Sequence, residues 1–142
     1  MRIRLFWGVA LVLLLASCGN KTLTEKVMKT HENGQPSLVY YYDRDGRWVR
    51  EVDYYETGAL LMEGPVENDL RTGAWTSYFP DGKVQSTGFY ENGLRTGKAE
   101  IYYENGHLWM DGWYHEDQKC GEWIIYDEQS YELGRVNYGS CD

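Results

Sequence analysis

Residues 73–96 read GAWTSYFPDGKVQSTGFYENGLRT, and the two segments that follow keep the same rhythm: GKAEIYYENGHLWMDGWYHEDQKC over 97–120 and GEWIIYDEQSYELGRVNY over 121–138. Gly73, Gly97 and Gly121 stand 24 residues apart, as do Gly34, Gly58, Gly82 and Gly106. Gly64, Gly88 and Gly112 form a third ladder at that period, and Tyr54, Tyr78, Tyr102 and Tyr126 a fourth. A weaker copy, EVDYYETGALLMEGPVENDLRT, occupies 51–72. Several independent ladders at one period establish an internal repeat, the feature that governs every later reading.

Turn signals fall about every twelve residues, twice per repeat: Asn33-Gly34, Asp45-Gly46, Thr57-Gly58, Asp81-Gly82, Asn92-Gly93 and Asn105-Gly106. Asn-Gly and Asp-Gly readily supply the positive φ of hairpin turns. Between them lie β-friendly runs such as Trp123-Ile124-Ile125-Tyr126. Each repeat therefore reads as one β-hairpin, and the chain as an all-β, elongated, single-layer antiparallel meander. A three-residue loop at Pro80-Asp81-Gly82 predicts the cross-strand pairs Tyr78 with Val84, Tyr54 with Leu60 and Tyr102 with Leu108.

Alternation along strands predicts the two faces. One carries the tyrosine ladder with Met62, Ser86 and Met110, then Gly64, Gly88 and Gly112, then Val66, Tyr90 and Tyr114. The other carries Trp75, Phe79, Phe89, Ile101, Tyr103, Trp109, Trp113, Trp123 and Ile125, with Ser77, Gln85, Thr87 and Asp111. A strand glycine lets a neighbouring ring lie flat on bare backbone, which accounts for glycines inside strands. A single layer cannot bury two aromatic faces, so much of the aromatic surface is expected to stay partly exposed, which points to a partner; the alternative is that curvature folds one face inward as a core.

The chain has 142 residues, 42% of them hydrophobic and 15% aromatic, and a net charge of −8. The length fits one domain. The composition excludes a disordered chain. The charge excludes nucleic acid and anionic headgroups as partners, since both require a basic face. Three cysteines make no disulfide scaffold.

Residues 1–17 read as a secretory signal. Arg2 and Arg4 precede the uncharged run Leu5–Ala16, which as a helix would rise roughly 18 Å, short of a bilayer core of about 30 Å. Leu15-Ala16-Ser17-Cys18 resembles a bacterial lipobox, which implies cleavage before Cys18 and its acylation. Two or three acyl chains anchor stably. The resemblance and Gly19 after the cysteine imply the outer membrane of the cell envelope. Cleavage leaves 12 basic against 22 acidic residues, a charge of −10, so the membrane is expected to be met through the lipid alone. Residues 18–30 are read as the lipidated Cys and a flexible tether, 31–138 as about four to five repeats, and 139–142 as a tail.

The pattern Gly-x-Trp-x-x-Tyr, a turn glycine, a second strand with Gly-x-Tyr, and then Glu-Asn-Gly-Leu-Arg-x-Gly resembles MORN-type repeats. It is most similar to the MORN-2 variant of YwqK-type antitoxin-like proteins. The resemblance covers roughly residues 31–138, with 73–96 and 97–120 the clearest copies. It implies a sheet of hairpins and a role in protein binding, with an immunity-like or scaffolding role at the envelope fitting the lipobox better than action on an intracellular toxin.

Chemistry is sparse. His115-Glu116-Asp117-Gln118-Lys119-Cys120 is the densest polar cluster, but it occupies a turn and matches no metal-ligand spacing. Glu91, Glu104, Asp111 and Asp127 provide no convincing glycosidase pair, because most sit at expected turns and a single-layer sheet offers little cavity. The expectation is no enzyme, no catalytic residues, no metal and no cofactor. Cys120 and Cys141 are candidates for a disulfide. Regular continuation would place them about 10 Å apart, so pairing requires the tail from Gly139 to fold back. Trp75, Phe89, Trp109, Trp113 and Trp123 are the candidate contact residues for a protein partner, since Trp often anchors hot spots. The alternatives are a cell-envelope glycan stacking on the aromatic rows, or a structural, self-associating lipoprotein.

Overall fold

The computed structural model describes residues 23–142. The expected signal segment, lipobox and Cys18 lie outside the described residues. The rest is a single antiparallel sheet of hairpins. Its strands are β1 (Thr24–Thr30), β2 (Pro36–Tyr42), β3 (Trp48–Tyr54), β4 (Leu60–Glu67), β5 (Leu70–Arg71), β6 (Gly73–Tyr78), β7 (Val84–Glu91), β8 (Leu94–Tyr102), β9 (Leu108–His115), β10 (Gln118–Tyr126) and β11 (Glu132–Asn137). Each strand pairs with its neighbours in sequence, except that β5 is a short spur on β4 and β4 goes on to pair β6. The all-β meander is therefore as the repeat predicts.

Two turn types alternate through the clear repeats. The Pro80-Asp81-Gly82 loop closes with Phe79 N–H donating to the Lys83 carbonyl at 2.8 Å, and Tyr55–Ala59 and Tyr103–His107 close identically. The opposite ends are two-residue turns, Asn68-Asp69, Asn92-Gly93 and Glu116-Asp117, with positive φ at both positions. That backbone matches the twist of the flanking strands. Adjacent repeats are also stitched at their ends: Tyr55 Oη donates to Tyr78 O, and Tyr103 Oη to Tyr126 O, both across 23 residues.

The predicted pairs Tyr54–Leu60, Tyr78–Val84 and Tyr102–Leu108 are all present. The face assignment built on them is half wrong. A register shift follows each pair: Ser77 partners Ser86, so Gln85 is an extra residue, and the same shift recurs between Ile101 and Tyr102. A bulge of one residue flips the phase of one strand against the other. In consequence Trp75 partners Gly88, and Ile101 partners Met110, on one face. Tyr78 instead shares the opposite face with Thr76 and Glu63, whose carboxylate accepts its hydroxyl at 3.0 Å.

Residues 24–30, expected as tether, form β1 instead. Lys26 partners Tyr40 and Val27 partners Val39, although β1 is exposed throughout. The segment lacks apolar alternation, but a neighbouring strand edge supplies the hydrogen bonds that hold it.

Candidate partner-binding surface

The sheet has two unlike faces. On the first, Trp75 and Trp123 are the pillars, only 3% and 2% exposed. Trp75 lies on the bare backbone of Gly64 and Trp123 on that of Gly112, so closely that an added Cβ would overlap each indole. The indole N–H groups are satisfied locally, Trp75 Nε1 by Thr72 O at 3.1 Å and Trp123 Nε1 by Trp113 O at 3.1 Å. Tyr90 packs against Trp75 at 5.4 Å between centroids, and Tyr114 against Trp123 at 5.2 Å. A cation caps each stack. Arg71 stands 4.3 Å over the Trp75 ring, and Lys119 Nζ 4.1 Å over that of Trp123. Such contacts add roughly 0.5–2 kcal/mol each.

The second face holds the other three candidate residues. Phe89 on β7 and Trp109 and Trp113 on β9 are 50%, 40% and 49% exposed. Phe89 partners Thr96 and Trp113 partners Lys98 across the intervening β8, so the rings rise from one surface. Between them runs a polar strip. Lys98 Nζ donates to Glu100 at 2.8 Å and lies 3.4 Å from Asp111. Tyr102 Oη donates to Glu100 at 2.8 Å. The hydrogen bond from Lys98 holds the Glu100 carboxyl below its ordinary range, and Glu100 in turn raises the Lys98 ammonium. Both groups therefore stay charged through neutral pH.

The structure thus separates the five candidate aromatics. Phe89, Trp109 and Trp113 share an exposed surface. Trp75 and Trp123 are core on the opposite face, and this corrects their assignment as exposed contacts, because each indole is almost wholly covered within its own stack. The cations at 71, 95 and 119 were missed by sequence reading, although their spacing of 24 was a signal equal to that of the glycines.

The cysteines do pair. Cys120 and Cys141 are joined with Cα atoms 5.1 Å apart. The tail folds back as the geometry requires: Gly121 N–H donates to Gly139 O at 2.6 Å and Tyr138 N–H to Gly121 O at 2.9 Å. Cys120 is thereby removed from the His115 cluster as a free thiol. Among the described residues no group of three or more His, Cys, Asp or Glu side chains is placed to hold a metal ion, and no helix is long and apolar enough to cross a membrane.

A family model described as MORN repeat variant matches residues 71–92 and 95–112. No curated protein matches the chain. The matched segments cover the bodies of the two clearest repeats. The hairpin geometry continues beyond them, since Trp123 on Gly112 repeats the arrangement of Trp75 on Gly64.

Proposed function

We propose that the chain is a non-enzymatic protein-interaction module, held at the outer membrane by an acylated Cys18, that grips a protein partner over Phe89, Trp109 and Trp113. The observation that carries this reading is the contrast in exposure between the two aromatic faces. On one, the tryptophans Trp75 and Trp123 are buried within their own stacks. The other leaves three large rings half in solvent on a rigid sheet, where their apolar area is best covered by association. Because the strands already fix the backbone beneath these rings, little ordering cost opposes binding. The charged strip between the rings gives a protein partner fixed polar contacts to match. An immunity-like or adaptor role suits such a surface at the envelope.

The test is cross-linking of the native lipoprotein in its host envelope, read by mass spectrometry, beside a variant with Phe89, Trp109 and Trp113 all changed to Ala. The expected outcome is one dominant protein partner, lost in the triple variant while circular dichroism stays unchanged. Each true anchor should contribute about 2 kcal/mol or more to binding. Equal recovery with both proteins contradicts the assigned surface. No protein partner, together with quenching of Trp fluorescence by a cell-wall glycan, replaces the reading with a glycan binder.

A further inference from the structure

The stacked face repeats one arrangement every 24 residues, and its middle copy lacks a ring. Position 75 is Trp, position 99 is Ala and position 123 is Trp. Everything around position 99 is nevertheless retained. Gly88 stands where Gly64 and Gly112 stand beneath their indoles, but a Cβ added to it would meet only the Ala99 methyl, at 3.9 Å. A glycine inside a strand weakens the strand. Gly64 and Gly112 have a ring that requires bare backbone, whereas Gly88 has no such ring of its own. Above it opens a cavity of about 260 Å³ whose lining includes Trp75, Gly88, Tyr90, Arg95, Ala99 and Tyr114.

We infer that this cavity is a binding slot for one flat aromatic ring of indole size, supplied by a tryptophan side chain of the partner protein. Three observations converge on that ligand. The two slots of like construction are filled by indoles. The cation is in place but has lost half its contact: Arg71 reaches both Trp75 and Tyr90, at 4.3 and 5.7 Å, and Lys119 both Trp123 and Tyr138, at 4.1 and 5.5 Å, whereas Arg95 covers Tyr114 alone, at 4.4 Å. Finally, each flanking indole donates to a backbone carbonyl, that of Thr72 or of Trp113, and the 24-residue counterpart of Trp113, Phe89, lines the middle cavity. A ring with an N–H donor is therefore favoured over a plain hydrocarbon ring. The assignment of the ring to a protein rests on the interaction reading above; the slot itself does not.

The experiment follows the methyl resonances of Ala99, Met62 and Ile101, the latter two also lining the cavity, during titration of the whole mature protein with indole, 1-methylindole and N-acetyl-tryptophanamide. The expected result is saturable ring-current shifts with indole and the amide, and at least severalfold weaker binding of 1-methylindole. Ala99→Trp, which fills the slot internally, should remain folded by circular dichroism and show no shifts. Absence of shifts in the wild-type protein, or equal shifts in Ala99→Trp, overturns the slot. Binding of indole without the amide overturns the protein source of the ring. The triple variant of the opposite face separates the two readings. A cross-linked partner without indole binding sinks the slot alone. Indole binding without any partner sinks the interaction reading and the protein source, and leaves the slot.

Discussion

Gly64 with Trp75 and Gly88 with Ala99 occupy equivalent places in the repeat, one filled and one open. In the first pair the bare backbone of a strand glycine carries an indole, the indole carries a tyrosine, and a cation covers both. In the second, glycine, tyrosine and cation remain and the ring is missing. The difference shows that the stack is a unit assembled from parts on several neighbouring strands, β4 to β7 for Trp75, and that the sheet holds its register without one of them. Stability and binding capacity then trade against each other slot by slot: a filled slot is core, an open one is a site.

Removing a filled ring should have the largest effect on that comparison. Trp123→Ala is expected to lose about 3–5 kcal/mol of stability, as large-to-small core changes do, and a urea titration measures it. The surviving protein should gain a second indole slot over Gly112. Reducing the Cys120–Cys141 bridge, which closes a separation of 21 residues, should cost about 3 kcal/mol. It should loosen the Trp123 stack more than the Trp75 stack, since Tyr138 on the folded-back tail packs against Trp123 at 6.5 Å. Thermal melts with and without reductant, in Trp75→Phe and Trp123→Phe backgrounds, would show the asymmetry.

Single methyl groups sharpen the contrast further. Gly112→Ala drives a Cβ into the Trp123 indole and should destabilise by about 1–3 kcal/mol, the usual overpacking cost. Gly88→Ala meets only ordinary contact and should stabilise by about 0.5–1 kcal/mol, because it relieves the entropy cost of a strand glycine. The smallest effect lies at the other end of this face. Burial, and then the charge of Glu51, push the Asp53 carboxyl above its ordinary value, against the opposing pull of Arg71 and Lys29. A raised acid pKa means that ionisation is disfavoured in the folded state. Asp53 is thus least harmful below its unfolded pKa and costs stability as pH rises through the folded value. Asp53→Asn should raise Tm slightly at pH 7 and give no gain near pH 3.

The architecture was legible because turn chemistry and the 24-residue ladders act locally and at one period. The faces were not, because the bulge at Gln85 and its counterparts leaves no mark in composition: the pairs nearest the loops are right, and the next residue is already out of phase. The same slip hid which tryptophans are core. Residues 24–30 lacked strand patterning because β1 is an exposed edge that buries nothing, so only pairing with β2 defines it. The disulfide depended on a tail reversal that no repeat could foretell. The open slot, by contrast, is written plainly in Trp75, Ala99 and Trp123, but it has meaning only once Gly88 is seen beneath it.

The most direct test of the slot as a structural unit is a double-mutant cycle of Gly88→Ala and Ala99→Trp, with stability measured by urea denaturation. If the Ala99→Trp ring settles on Gly88 as Trp75 settles on Gly64, the new indole alone adds about 1–3 kcal/mol. Gly88→Ala then reverses sign, stabilising in the wild-type chain and destabilising beside the new tryptophan. The same sign in both backgrounds would contradict the account, because the middle repeat would then have lost the slot along with its ring.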